Sequence, residues 1–193
     1  PQRLLRLHRL LARLEDGHSN LVPFYLPTAG FERQLPLRFY LFDEGLYITR
    51  TDAAHSELAG ARVIAIGGVQ AETAVRAVMA LVGADNPQWA RNWAPVTLRY
   101  AAYLAAFGWS DTEAVDLTLA MPDGQQRALR IAFAVAPDTG HSAQRMTPGR
   151  FRTDRNYDFT HLADENAVLA IYSAVADMDD ESLAAFADRL FDF

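Results

Sequence analysis

The sequence contains no cysteine, and this absence removes several chemistries at once. Without thiols the chain forms no disulfide, no thiolate zinc site and no cysteine nucleophile. It also lacks lysine, since all 18 of its Lys-plus-Arg positions are arginine. A lysine general base, a Schiff base and the lysine of a phosphate-binding loop are therefore excluded, because arginine stays protonated with a pKa above about 12.

Long hydrophobic runs and broad basic patches are missing as well. No apolar run of about 18 residues or more occurs, and there is no signal-peptide pattern, so we predict no membrane span. The net charge of -6 offers no electrostatic footprint for nucleic acid. The arginines at positions 3, 6, 9 and 13 cluster near the start, and the solvated face of an amphipathic helix explains them.

Half of the 193 residues are hydrophobic, which is enough for a sizeable core. A helical period of apolar residues predicts helices over 2–15, 71–82, 86–107 and 182–193, the third broken near Pro95. Alternation and turn residues predict strands over 35–42, 46–49, 62–66, 115–121, 126–135 and 166–175. A short helical turn is expected over 53–58 and an extended segment over 18–26.

The last part of the chain differs from the rest. The stretch 166–175 is apolar on both faces, which is typical of a central strand covered on both sides. A single strand and helix cannot close a core of their own. We therefore predict that 157–193 is the opening β-α unit of a second domain whose remainder lies outside this chain. A partner chain, a homo-oligomer or a strand exchanged between copies would complete it.

Five short segments follow one another in a distinctive order: 14–19 (LEDGHS), 35–40 (LPLRFY), 45–48 (GLYI), 58–69 (LAGARVIAIGGV) and 157–159 (YDF). The order resembles that of the tail-specific and tricorn-type serine peptidases. The first segment is similar to the family's Gly-Asp-Gly-His-Thr stretch, and the fourth to its PDZ stretch L-x-x-G-D-x-I-x-x-I-[DNG]-G. The sequence departs from that pattern at Arg62, where many PDZ-like domains carry Asp, and in a helical insertion.

The resemblance implies an α+β fold with this organisation: an N-terminal helical segment with the His motif over 1–34, a PDZ-like domain over 35–135 with the helical insertion 86–107, a linker over 136–156, and the start of a truncated α/β catalytic domain over 157–193. The family's nucleophilic serine would lie beyond Phe193. Members that use a Ser-Lys pair would also need a lysine, which this chain lacks.

The resemblance assigns the role of general base to His18. A positioned imidazole activates a serine hydroxyl well, because histidine titrates near neutral pH. From the residues alone, the pattern favours the alternative that His18 is a polar residue that ends a helix and caps its carbonyls. No histidine pair has the spacing of a metal motif, so we expect no metal and no cofactor.

A PDZ-like domain would bind an extended polypeptide between a strand edge and a helix. The resemblance places the strand at 37–42 and the helix at 71–82. Leu37, Phe39, Val75 and Met79 are the candidate substrate-binding residues. The alternative is that these side chains simply fill the core.

The function implied is that of the N-terminal part of a serine peptidase that acts on polypeptides, the chain alone being inactive. The alternative is a non-catalytic binding module for C-terminal peptides or small hydrophobic ligands. The resemblance also implies a periplasmic or secreted location.

Overall fold

The fold was analysed in a computed structural model, which describes residues 2–19, 21, 31–135, 141–142 and 155–193. The chain divides into two units, Pro1–Gln144 and Arg145–Phe193. Helices and antiparallel strands are both abundant, which confirms the predicted α+β class. Of the predicted linker, residues 136–140 and 143–154 lie outside the described residues, as does most of the extended segment predicted over 18–26.

The α-helices of the described residues are α1 (Gln2–Ala12), α2 (Ala71–Met79), α3 (Pro87–Thr97), α4 (Ala101–Phe107) and α5 (Leu183–Phe191). The strands are β1 (Arg33–Gln34), β2 (Leu37–Phe42), β3 (Gly45–Thr51), β4 (Arg62–Ile66), β5 (Val69–Gln70), β6 (Ala114–Ala120), β7 (Gln126–Ala132), β8 (Ala134–Val135), β9 (His141–Ser142), β10 (Tyr157–Leu162) and β11 (Ala167–Tyr172). The segments Ala53–Leu58 and Ala163–Glu165 are 3₁₀ helices.

The first unit is built on an antiparallel sheet with the strand order β2-β3-β4-β6-β7. β5 pairs with β4, β9 pairs with β3, and β1 pairs separately with β8. The two predicted hairpins are confirmed as β2–β3 and β6–β7. Glycine serves both turns, because Gly45 and Gly124 have φ values of +138° and +84° that other residues rarely adopt.

The main core lies between this sheet and α2. On β2 the burial alternates, so Leu37 and Phe39 face inward while Arg38 and Tyr40 are exposed. α2 adds a buried stripe at helical spacing: Ala71, Ala74, Val75 and Val78. A second cluster forms where α1 meets α4, and it contains Leu5, Phe31, Leu81, Tyr100, Tyr103 and Ala106.

The predicted helical insertion is present as α3 and α4, and the predicted break near Pro95 is found at residues 98–100. Pro95 lies inside α3, and the helix ends at Thr97. Proline removes one backbone donor, yet neighbouring bonds carry the helix onward. The Thr97 hydroxyl donates to the Trp93 carbonyl at 3.0 Å, and the Leu98 N–H donates to the Ala94 carbonyl at 3.0 Å.

In the second unit, β10 and β11 form an antiparallel hairpin, and α5 packs on β10. Ser182 caps α5 by accepting from the Ala185 N–H at 3.1 Å. The predicted strand is confirmed over Ala167–Tyr172, but within the described residues it pairs with β10 alone. Its side chains are exposed or half-buried, so this unit does not supply the cover that we expected on both faces.

Candidate functional site

The predicted base His18 lies on a turn that the Asp16 carboxylate organises. Asp16 Oδ1 accepts the His18 backbone N–H at 3.0 Å, and Oδ2 accepts the Ser19 hydroxyl. These two hydrogen bonds, that of Ser19 foremost, lower the pKa of Asp16 below its ordinary value. The carboxylate is therefore ionised throughout the range in which a histidine titrates.

The same turn is tied to the segment just before α3. The buried Gly17 donates its N–H to Asp85 Oδ2 at 3.1 Å. A Cβ at position 17 would lie 2.6 Å from that oxygen and 3.5 Å from Trp89 Nε1, so only glycine fits without a shift of Asp85. Asp85 lies far along the chain from His18, and nothing in the sequence pattern connects the two.

The His18 side chain is 98% exposed, and its Nδ1 lies 3.8 Å from Asp16 Oδ1. Asp16, His18 and Asp85 each place one ligand atom within 4.8 Å of the others. Two carboxylates and an imidazole are ligand types that suit a divalent cation such as Zn²⁺. Both carboxylates already accept hydrogen bonds from the turn, however, and exposed acidic groups commonly gather without an ion.

The four predicted substrate-binding residues all belong to the main core. Leu37, Phe39 and Val75 are 0%, 7% and 5% exposed, and Met79 is partly buried against the same cluster. The four therefore lie in one packed layer of the core, where α2 packs against α3, β3 and β4. Which of them reaches a ligand depends on the surface above that layer.

Helix α3 lies along the outer side of β2 and packs against both β2 and α2. At one end of β2, Arg91 donates to Asp43 at 3.2 Å. At the other end, the Leu35 N–H donates to the Arg99 carbonyl at 2.8 Å. The insertion thus lies against the part of β2 where a PDZ-like domain would seat a peptide, and a cavity of about 420 Å³ remains between α3 and residues 39–42.

A cleft of about 740 Å³ remains open beside the β2–β3 turn, bounded by β4 and α2. Of the predicted residues, Val75 and Met79 line it and Leu37 and Phe39 do not. The other apolar lining residues are Leu41, Phe42, Leu46, Val63, Ile64 and Ala71, and the charged ones are Asp43, Glu44, Arg62, Glu72, Arg76 and Arg91. Apolar walls with polar groups at the rim suit an extended polypeptide or an apolar small molecule.

Two ion pairs lie at the rim of this cleft. Arg76 contacts Glu72 at 2.9 Å, and Arg91 contacts Asp43 at 3.2 Å. The rim is therefore close to neutral and selects by shape more than by charge. The sequence pattern predicted the hairpin turn 43–45 but not the charged rim of the cleft. The rim could not be predicted because α3 contributes Arg91 from a distant part of the chain.

The described helices include none long and apolar enough to cross a bilayer.

Comparison with family models and with curated proteins gives no match. Among solved structures, mature CPAF, a chlamydial serine protease, aligns with 69% of this chain at 15% identity and a TM-score of 0.48. Mature CPAF complexed with lactacystin aligns over the same share at 16% identity and a TM-score of 0.48. In both cases the match spans only 25% of the CPAF chain. Similarity at this level does not assign the chain to a family.

Proposed function

We propose that this chain is the polypeptide-binding front part of a serine peptidase, with His18 as the general base for a serine supplied from outside the chain. The observation that carries the proposal is the turn 16–19. It presents an exposed imidazole with an ionised carboxylate on its Nδ1 side and leaves Nε2 open to a nucleophile.

This arrangement suits acyl transfer. Nε2 would take the proton from the serine hydroxyl and return it to the leaving amine. Asp16 acts as a positioning residue: its negative charge favours the tautomer with the proton on Nδ1 and stabilises the imidazolium that forms. A side-chain rotation that shortens the 3.8 Å separation between Asp16 Oδ1 and His18 Nδ1 would make the hydrogen bond direct.

In the same proposal the open cleft, rather than the part of β2 against α3, seats the polypeptide. Val75 and Met79 would contact the substrate there, while Leu37 and Phe39 would support β2 from the core. The exposed residue Thr73 also lines the cleft.

The catalytic role is tested by His18→Ala in the natural protein that contains this chain together with its catalytic domain. Loss of a general base lowers kcat/KM by about 10²- to 10⁴-fold. His55→Ala is the matched control, because His55 Nδ1 also lies beside an aspartate, 2.6 Å from Asp52 Oδ1. Equal activity of the His18 and His55 variants would refute the assignment.

Binding is tested separately on the 193-residue chain. Thr73→Trp fills the cleft from an exposed position and should weaken the binding of unfolded polypeptide at least tenfold. Thr112→Trp, at an exposed position outside the cleft, should leave it unchanged. If an apolar dye binds in the cleft and no polypeptide does, the alternative of a non-catalytic module for hydrophobic ligands replaces the peptidase proposal.

A further inference from the structure

Arg99 is a buried cation that neither the cleft nor the His18 turn uses. It lies in the connection between α3 and α4, where its carbonyl accepts the Leu35 N–H at 2.8 Å. This bond ties its backbone to the residues just before β2, and the residue is only 7% exposed. Nε of its guanidinium has no hydrogen-bond partner among the residues that the structure describes.

Burial distinguishes Arg99 from the arginines that have a carboxylate partner. Across the part of the chain that the structure describes, carboxylates pair with Arg33, Arg76, Arg91, Arg127, Arg130, Arg155 and Arg189. These arginines are more exposed than Arg99. Arg99 is thus more buried than all of these paired arginines, yet no carboxylate of the described residues pairs with it.

The surroundings of Arg99 add positive charge. Burial, and after it the charge of Arg38, lower the pKa of Arg99 to about 10. Arg99 therefore remains protonated at neutral pH. Arg38 stands opposite Arg50 in the β2–β3 ladder, and both are exposed, so positive side chains gather at this end of β2.

Burying a cation without a counter-charge is strongly unfavourable, so buried charges in proteins are normally paired. We propose that Arg99 is the floor of a binding site for a carboxylate anion. Nε and one terminal nitrogen of a guanidinium form a fork that matches the two oxygens of a carboxylate. One such pair of N–H donors is enough for a monoanion such as a carboxylate, whereas a phosphate dianion would need further hydrogen-bond donors.

This site is distinct from the cleft. The cleft adjoins the end of β2 at Leu41 and Phe42, and Arg99 lies beside Leu35, about 20 Å away at the rise of an extended strand. The proposal therefore does not depend on peptidase activity. The carboxylate could belong to a small acid or to the C-terminus of a peptide, and the two sources are separated below.

The test is the thermal stability of the 193-residue chain in sodium acetate against sodium chloride at equal ionic strength. A ligand that binds only the folded state stabilises it, so Tm should rise with acetate concentration and then level off. The expected rise is about 4 °C when the acetate concentration is about ten times its Kd. Arg99→Met should raise Tm in chloride, because it removes an unpaired buried charge, and should abolish the acetate response. Arg127→Gln, on exposed β7, should keep the response.

No response of the wild type, or an unchanged response in Arg99→Met, would overturn the proposal. If Arg99→Met does not fold, Arg99→Lys takes its place: it keeps the charge but loses the fork, and should weaken acetate binding at least tenfold. Equal affinity of the lysine variant, or tighter binding of phosphate than of acetate, would contradict a carboxylate site. A peptide that binds with a free C-terminus but not when amidated identifies the peptide source, and acetate binding alone identifies a small acid.

Discussion

At the scale of single residues, two adjacent positions in the β4–β5 turn require glycine for different structural reasons. Both Gly67 and Gly68 have positive φ, +56° and +76°. A Cβ at Gly67 would lie 1.9 Å from the Trp109 carbonyl oxygen, whereas a Cβ at Gly68 would meet nothing within 4 Å. The Gly67 N–H also donates to the Asp116 carbonyl at 2.8 Å, which holds the turn against β6.

Alanine at the two positions should therefore have unequal effects. Gly68→Ala should lower the free energy of unfolding by about 1–2 kcal/mol, the cost of left-handed backbone for a residue with a side chain. Gly67→Ala adds a clash with backbone atoms and should lower it by about 4 kcal/mol or more. Urea unfolding of both variants measures this, and equal losses would mean that Trp109 moves aside freely.

A buried histidine gives the fold a dependence on pH. His8 on α1 is 5% exposed, and its Nε2 lies 2.8 Å from the Tyr103 hydroxyl on α4. Burial lowers the pKa of His8, and a hydrogen bond to the Leu81 backbone opposes that shift less strongly. The unfolded chain therefore binds this proton more readily than the folded one.

The direction in which stability changes with pH follows from proton linkage. Stability due to His8 is fully present above the unfolded pKa of about 6.5 and is lost as the pH falls below it. His8→Leu should remove this part of the pH dependence, and it should destabilise the protein by about 1–3 kcal/mol at pH 8 because the Tyr103 hydroxyl loses its partner. Urea unfolding between pH 5 and pH 8 checks both effects.

The double variant His8→Leu/Tyr103→Phe serves as the control. It removes donor and acceptor together, so it should recover most of the stability that His8→Leu loses at pH 8. Like the single variant it should lack the His8 contribution to the slope with pH. A slope as steep as that of the wild type would assign the pH dependence to other groups.

At the scale of elements, the position of α3 determines which part of the β2 surface is accessible to a ligand. The first turn of α3 is stabilised by a side-chain cap. Asn86 Oδ1 accepts the N–H groups of Gln88 and Trp89 at 3.0 and 3.1 Å. Pro87 follows at the first helical position, where its missing N–H loses nothing.

Asn86→Ala should therefore lower the free energy of unfolding by about 1 kcal/mol, and Asn86→Asp should leave it nearly unchanged. The alanine variant should also increase hydrogen exchange at Gln88 and Trp89, because their amides lose the acceptor. Exchange that stays at the wild-type rate would show that the rest of α3 holds this turn without the cap.

Local patterns predicted most of the elements. The β2–β3 and β6–β7 hairpins and α2 follow from alternation, turn glycines and helical spacing within short windows. The break in the insertion follows Pro95 closely, because α3 ends at Thr97, two residues later. The low helix propensity of proline predicts that a helix ends close to this residue but not which residue is the last of the helix.

The sites were less predictable because they join distant residues. The resemblance pointed to His18, while Asp85 reaches its turn only through tertiary packing. Strand alternation separates the two faces of β2, but only the tertiary structure shows that α3 lies across a cavity from Phe39. Arg99 is one of 18 arginines, and only burial sets it apart.

At the scale of the whole molecule, the two units differ in what they bury. The first unit holds both hydrophobic clusters. The second buries Tyr157 and Phe186 among its described residues and leaves Val168, Tyr172, Val175, Phe191 and Phe193 exposed. A segment this short, with little core and no cysteine to cross-link it, has too little buried surface to offset its conformational entropy.

Division of the chain between residues 144 and 145 should therefore give unequal fragments. Residues 1–144 should unfold cooperatively in a thermal melt followed by circular dichroism, because their core is self-contained. Residues 145–193 alone should show no cooperative transition, because the apolar surface that this hairpin and helix bury is too small to offset their conformational entropy. A cooperative melt of the shorter fragment would mean that Tyr157 and Phe186 form a sufficient core, and the absence of one in the longer fragment would mean that the first unit needs the second to fold.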